Sequence, residues 1–200
     1  MDLQQTPAAV IVLAIFVIAS IAGFMNRGMW NAWMLHPHGV LHHKRWYLLL
    51  TYGFVHGDVA HLLFNAVSYY SIAPVLERVL GIPGFIAVYA GSLVLGAIPS
   101  VLLHHKDVHY RSLGASGAIS GLFFSGMLFF PEHRIHLFFL PVGIPYPLFG
   151  ILFLAGSWYG MKRNLGNIGH DVHLYGALAG LLLTLLLRPD SLAIFLSGVS

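Results

Sequence analysis

Long apolar stretches, separated by short polar or proline-containing segments, dominate this sequence. A helix needs about 20 mainly apolar residues to cross the roughly 30 Å hydrocarbon core of a bilayer. Charged residues make up only 8% of the 200 residues, against about 25% in a typical soluble domain. We therefore expect lipid to surround most of the chain. The predicted spans cover residues 7–25, 47–77, 83–103, 114–130, 144–161 and 169–188.

These stretches predict an all-α polytopic membrane protein with six transmembrane helices, built as one membrane domain over residues 1–200 with no separate soluble domain. The first stretch is read as a retained span because no positively charged segment precedes it. The apolar tail from Ser191 to Val199 is too short to cross and is expected at the interface. Helix-breaking prolines interrupt the chain between the fourth and fifth stretches. They are Pro131, Pro141, Pro145 and Pro147.

The residue content also limits the partners and cofactors of the chain. Cysteine is absent, which excludes disulfides, a thiol nucleophile and thiolate-held metals. The net charge of +3 lies in the loops and indicates contact with lipid headgroups. No basic patch interleaved with aromatic residues indicates a nucleic-acid partner. We predict no cofactor, no metal and no nucleic acid, with the lipid bilayer as the surroundings.

Two polar side chains lie within the second stretch. His61 and Asn65 are four residues apart and therefore share one face of a helix. Both can donate hydrogen bonds. Such a pair can hold two membrane helices together or serve a reaction in a polar cavity. The spacing alone leaves both interpretations open.

A run of small residues from Gly114 to Gly117 opens the fourth stretch. Gly117 and Gly121 are one helical turn apart, so this face suits close helix packing. Ser116 also lies at the predicted start of a helix, where unpaired backbone N–H groups point at the space beside its hydroxyl. Such a place stabilises developing negative charge. Ser116 is therefore a candidate nucleophile as well as a packing residue.

His173 lies about one turn into the sixth stretch, with Gly176 and Gly180 following it. The two glycines have the spacing that brings membrane helices close. A lone histidine here is more often a buried, hydrogen-bonded residue than a catalyst. If the glycine faces of the fourth and sixth stretches meet, however, Ser116 and His173 come together near one membrane surface.

In their order along the chain, these motifs resemble those of the rhomboid proteases. His56, His61 and Asn65 match the family's HxxxxHxxxN pattern. The GxSG motif is matched by residues 114–117, and the HxxGxxxG motif by residues 173–180. The resemblance implies a rhomboid-like bundle that cuts the transmembrane helices of other proteins. It also implies a multi-pass protein of the cell membrane, in the bacterial type the inner or plasma membrane.

The resemblance assigns roles to these residues. It implies that Ser116 is the nucleophile and His173 its general base, acting through an acyl-enzyme intermediate. Asp171 is the acid nearest to His173, but two residues along a helix point it away, so we expect a Ser–His dyad. The expected oxyanion donors are Asn65, His61 and the backbone N–H of Ser116, with Gly114 as a further candidate. The supporting residues are His56, Gly117, Gly176 and Gly180.

Some positions depart from the family pattern. The family usually has Trp-Arg near the end of the first loop, where Tyr47-Leu48 stands here. An aromatic residue often lies four positions after the nucleophile and packs on the base, but this chain has Ser120. We therefore expect His173 to be held differently here. Val172 replaces a common alanine, which is a smaller change.

The membrane orientation has two conflicting predictions. The loops that follow the first, third and fifth predicted spans carry most of the basic residues. The positive-inside rule places such loops in the cytoplasm. The family resemblance implies the opposite side for the same loops. These basic residues are Arg27, Lys44, Arg45, Lys106, Arg111, Lys162 and Arg163.

Two alternatives to proteolysis remain open from the sequence. One is an inactive relative that binds membrane proteins, although the chain keeps both Ser116 and His173. The other is a histidine-rich metal or ion transporter, since imidazole suits zinc or copper. No HExxH motif supports the transporter. Its candidate ligands are His56, His61, His170 and His173.

Overall fold

The computed structural model describes residues 4–136, 142–163 and 169–199. Helices dominate these residues, and a 3₁₀ turn, Tyr52–Phe54, follows the fourth helix. In chain order the helices are α1 (Pro7–Met25), α2 (Arg27–Trp33), α3 (Pro37–His43), α4 (Leu48–Thr51), α5 (Val59–His104), α6 (Ser116–Phe129), α7 (Tyr146–Arg163), α8 (His170–Leu187) and α9 (Asp190–Val199).

Three of these helices are long and apolar enough to cross a membrane, namely α1, α5 and α8. The helices α6 and α9 are apolar but shorter. The protein is therefore a mostly helical, multi-pass membrane protein, as the apolar stretches predict. Six separate crossings remain a prediction.

The helix α5 turns back on itself at Gly81. This residue has φ 68° and ψ 169°, a conformation that only glycine adopts readily. The rings of Tyr69 and Tyr89 lie 5.7 Å apart, whereas a straight helix would separate them by about 30 Å. Residues 59–80, the first arm of α5, and residues 82–104, the second arm, therefore run antiparallel.

The second predicted span, residues 47–77, is wrong at its start. Residues 47–58 form α4, the 3₁₀ turn and a loop, and the first arm of α5 begins only at Val59. The side chain of Asp58 caps this helix by accepting a hydrogen bond from the backbone N–H of His61 (2.7 Å), which is the usual role of aspartate at a helix start. His56 consequently lies in a buried loop and not on the helix.

The segment between α6 and α7 departs from an all-α fold. Strands β1 (Arg134–Ile135) and β2 (Ile144–Pro145) pair antiparallel. The helix α6 ends at Phe129, two residues before Pro131. Proline has no backbone N–H and cannot continue the hydrogen-bond ladder of a helix. Another of the predicted helix breakers, Pro141, lies outside the described residues.

The helix α6 lies at the centre of the molecule, between α5 and α8, and most of its residues are buried. The glycine faces of α6 and α8 meet there. A methyl group on Gly176 would overlap the backbone of Gly117, and one on Gly180 would overlap the backbone of Gly121. Small residues thus let the two backbones touch, which brings the first turns of α6 and α8 together.

A buried carboxylate joins α1 to the first arm of α5. Glu77 is only 3% exposed, and its two oxygens accept hydrogen bonds from the backbone N–H groups of Ala8 (3.0 Å) and Ala9 (2.6 Å). The first N–H groups of a helix have no partner within the helix, and negative charge at that end is favourable. Glu77 therefore caps α1 from a neighbouring helix.

Replacing Glu77 by alanine is expected to destabilise the protein by about 2–4 kcal/mol, because two buried N–H groups lose their acceptors. Glu77→Gln keeps one acceptor oxygen, so its loss of stability should be about half that of Glu77→Ala. Denaturant unfolding in micelles measures both. Glu132→Gln is the matched control, since that carboxylate is exposed and its removal should change stability by less than about 0.5 kcal/mol. Equal stability of Glu77→Ala and wild type would contradict the capping role.

Candidate active site

The structure brings Ser116 and His173 together. The Oγ atom of Ser116 lies 2.6 Å from Nε2 of His173, within hydrogen-bond distance. Ser116 is the first residue of α6, and His173 lies in the first turn of α8. Both side chains are half-buried and line the same cavity. A hydroxyl that donates to an imidazole nitrogen at this distance can pass its proton to the ring.

The chain before Ser116 is held by a series of backbone hydrogen bonds. Ser112 pairs with Leu35 through both of its backbone groups (2.9 and 3.1 Å). Gly114 donates its N–H to the carbonyl of Tyr52 (2.9 Å). Its φ is 109°, and a Cβ there would lie 2.8 Å from Cε1 of His61. Glycine at this position thus allows both the turn into α6 and the close approach of His61.

His56 supports this turn from a fully buried position. Its Nδ1 lies 2.8 Å from the hydroxyl of Ser20 on α1, and its Nε2 accepts from the N–H of Ala115 at 3.4 Å. The indole of Trp30 donates to the His56 carbonyl (2.8 Å). His56 therefore connects α1 and α2 to the residue next to Ser116.

Asn65 lines the same cavity as Ser116 and His173, and His61 lies close to Gly114, two residues before Ser116. The prediction for Gly114 needs a correction. Asn65 is 2% exposed and lines the cavity; its amide donates to the backbone carbonyl of His61 (3.0 Å) and keeps a second hydrogen. The ring of His61 lies against Gly114. Ser116 opens α6, where a backbone N–H has no partner within the helix. The N–H of Gly114 is taken by Tyr52, so Gly114 is not a donor to the site.

Sequence reasoning missed the aromatic neighbour of His173. Phe153 on α7 lies with its ring centroid 6.3 Å from that of His173. Ser120, at the position where the family often has an aromatic residue, instead donates its hydroxyl to the backbone carbonyl of Ser116 (2.8 Å). An aromatic side chain thus approaches the imidazole from α7 instead of α6. No spacing rule within the sequence connects Phe153 to His173, because they lie on separate helices.

Asp171 turns away from His173, as its position in the helix predicts. Its carboxylate accepts from the hydroxyl of Tyr110 (3.3 Å to each oxygen) and lies 3.3 Å from Nε2 of His104. These partners were not predicted.

A cavity of about 680 Å³ extends from Ser116 and His173 between the first arm of α5 and α7. Its walls are mainly apolar, and Asn65 is among the polar residues that line it. Phe64, one of the wall residues, is an apolar side chain that is 61% exposed. In residues 4–136, 142–163 and 169–199, no group of three or more histidine or acidic side chains is arranged to hold a metal ion.

Comparison with known proteins agrees with the motifs. The family model of the rhomboid domain matches residues 43–190. The chain is 38% identical over 141 residues to YdcA of Bacillus subtilis, a candidate rhomboid protease, covering 70% of this chain and 67% of YdcA. It is 26% identical over 169 residues to the rhomboid protease GluP of Bacillus subtilis, covering 84% of this chain and 31% of GluP.

A third relative is the rhomboid protease GlpG of Yersinia pseudotuberculosis, 26% identical over 182 residues, which cover 87% of this chain and 59% of GlpG. The chain thus spans about two thirds of YdcA and less of the other two. The matched region contains Ser116, His173 and the residues around them. From the family match and the similarity to YdcA, the chain belongs to the rhomboid family.

Proposed function

We propose that this protein is an intramembrane serine endopeptidase that cuts transmembrane helices of other membrane proteins. One observation supports this most directly: the 2.6 Å contact between Ser116 Oγ and His173 Nε2 in a cavity with mainly apolar walls. A serine hydroxyl is a weak nucleophile until an adjacent base takes its proton. Relatives named rhomboid proteases support the same reaction class.

In the proposed reaction, Ser116 Oγ attacks the scissile carbonyl carbon while its proton moves to His173 Nε2. The resulting tetrahedral intermediate collapses, the C–N bond breaks, and His173 passes the proton to the leaving amine. Water then attacks the acyl-enzyme ester while its proton moves to His173. The ester C–O bond breaks, His173 returns the proton to Ser116 Oγ, and the new carboxyl end is released. Asp171, the acid nearest to His173 in the sequence, has no assigned part in the reaction, because it is bonded to Tyr110 instead.

The oxyanion formed in each step needs hydrogen-bond donors. We assign this role to the amide of Asn65, the imidazole of His61 and the backbone N–H of Ser116. Donors that are already aimed at the developing charge lower the barrier without reorganisation. The helix start at Ser116 adds the favourable field of the α6 dipole.

The proposed substrate must unwind to be cut. A membrane helix hides its peptide bonds in its own hydrogen bonds. The helix α6 has 14 residues and is about 21 Å long, shorter than the bilayer core, so Ser116 would lie below the membrane surface. The apolar cavity between the first arm of α5 and α7 would admit the unwound segment from the lipid. We expect substrates with small, helix-weakening residues near the cut.

We place the protein in the bacterial plasma membrane, following the two Bacillus relatives. Neither a cofactor nor a metal is part of the proposed reaction.

The direct test uses purified protein in liposomes with two transmembrane substrates that differ only at the centre of the span. One substrate carries Gly and Ser there, and the other carries only Leu. We expect mass spectrometry to find a cut inside the apolar segment, faster in the Gly–Ser substrate. A fluorophosphonate should also add once per chain, forming a bond to Ser116 Oγ and releasing fluoride. Folded protein that binds the substrates but neither cuts them nor takes up the probe would favour the inactive relative.

Asn65→Ala is expected to lower kcat by about 10²–10³-fold, the usual cost of losing one oxyanion donor. KM should stay within about two-fold, since the donor acts mainly in the transition state. Steady-state cleavage in liposomes measures both constants. Asn31→Ala, the same change at an exposed position on α2, is the control and should cleave like wild type. An Asn65→Ala enzyme with unchanged kcat would remove Asn65 from the donor set.

A further inference from the structure

Asp171 is a buried carboxylate that the proposed reaction does not use. It lies in the first turn of α8, two residues before His173, and is 3% exposed. Burying a carboxylate is costly unless hydrogen bonds compensate it. Its partners lie on other parts of the chain, namely the hydroxyl of Tyr110 and the imidazole of His104. The cost is thus offset by contacts that connect α8 to two other segments.

Tyr110 is itself held firmly. Its ring stacks on His104 with centroids 3.9 Å apart and an angle of 8°. The hydroxyl of Ser100 donates to the Tyr110 oxygen at 3.3 Å. Ser100 and His104 are one turn apart near the end of the second arm of α5. Burial raises the pKa of Tyr110, so its hydroxyl remains a donor to Asp171. The second arm thus fixes the position from which Tyr110 reaches α8.

Tyr110 begins the segment that leads to Ser116. Ser112 pairs with Leu35, and Gly114 pairs with Tyr52, so the chain between Tyr110 and Ser116 is tied at alternate residues. On the other side, Asp171 and His173 share one helical turn. A hydrogen bond from Tyr110 to Asp171 therefore connects the segment that carries the hydroxyl to the turn that carries the imidazole.

We infer that Asp171 and Tyr110 are positioning residues, which hold the first turn of α8 in the place where His173 meets Ser116. This role rests on the proposed function, because it concerns the same reaction. The glycine contacts between α6 and α8 set how closely the helices approach, whereas the Tyr110–Asp171 link fixes the end of α8. A displacement of about 1 Å in a catalytic group can cost about 10²-fold in rate.

The test compares Tyr110→Phe and Asp171→Asn in the full-length protein in liposomes. Tyr110→Phe keeps the ring on His104 and removes only the hydroxyl, while Asp171→Asn keeps one acceptor oxygen. We expect Tyr110→Phe to lower kcat by about 10–100-fold with KM within two-fold, and Asp171→Asn to lower it less. The double variant should be no slower than Tyr110→Phe alone, since both changes break one link. Rates are counted per fluorophosphonate-reactive site, so that loss of folded protein does not contribute.

Matched controls are Tyr47→Phe and Asp190→Asn, both at exposed positions, which should keep wild-type kcat. Wild-type kcat per reactive site in both Tyr110→Phe and Asp171→Asn would overturn the inference. Additive losses in the double variant would do the same.

A second measurement does not depend on turnover. The imidazole ¹⁵N signals of His173, assigned by their loss in His173→Ala, report the hydrogen bond to Ser116. These signals should shift in Tyr110→Phe and stay unchanged in Asp190→Asn. An unchanged spectrum in Tyr110→Phe would contradict the positioning role even if the wild type cleaves. Conversely, one outcome is a wild type that never cleaves, although the His173 signals still shift in Tyr110→Phe. That result would refute the proposed protease activity and support the link between Tyr110 and Asp171.

Discussion

Ser116→Ala and His173→Ala should each reduce cleavage of a transmembrane substrate by about 10⁴-fold or more, to the background of the assay. The 2.6 Å contact makes the two side chains one functional unit, because the hydroxyl attacks only as its proton leaves to the imidazole. The double variant is therefore expected to be no slower than either single variant. Quantified product from liposome reactions measures all three.

Exposed residues of the same types provide the controls. Ser197→Ala on α9 and His43→Ala on α3 lie at exposed positions and should cleave like wild type. The Ser116→Ala protein should still bind substrate, since the cavity wall is otherwise intact. Substantial cleavage by Ser116→Ala would exclude the proposed nucleophile, and cleavage by His173→Ala alone would exclude the base.

Adding one methyl group at Gly176 is expected to damage both stability and activity. The new Cβ would overlap the backbone of Gly117, and backbone cannot rotate away as a side chain can. Overpacking of this kind costs about 1–3 kcal/mol, and the separation of α6 and α8 moves Ser116 from His173. We expect Gly176→Ala to lose about 10²-fold in kcat. Thermal unfolding and cleavage rates in the same micelles measure both effects.

Gly156→Ala provides the matched control on α7. A methyl group there would meet no described atom within 4 Å, and alanine favours a helix over glycine by about 1 kcal/mol. Its stability should therefore equal or exceed that of the wild type. If Gly176→Ala behaved like Gly156→Ala, the close contact between α6 and α8 would not be needed.

The family and the membrane class could be predicted because their signals are local. Scarce charges and long apolar stretches indicate lipid as the solvent, and the family match confirms the prediction made from the motifs at His61, Ser116 and His173. Glycines one turn apart indicated close helix contacts, and the faces of Gly117 and Gly176 do meet. The roles of the site residues stay predictions until the variants are measured.

Features that depend on distant parts of the chain could not be read from the sequence. Asp171 finds its partner Tyr110 sixty-one residues away. Phe153 approaches His173 from another helix. Each contact arises from how helices pack, which spacing along one segment does not encode.

The reversal at Gly81 has a consequence for where products would go. Because the two arms of α5 are antiparallel, His61 and His104 lie toward the same end of the molecule, where α6 and α8 also begin. Every group assigned to the chemistry is gathered at that end, and none is assigned to the end where α6 stops. Under the proposed function, a cut at that end would leave most of the substrate helix in the bilayer and release the part beyond the cut on that side of the membrane. The orientation of the protein in the membrane would thus decide which compartment receives the released fragment.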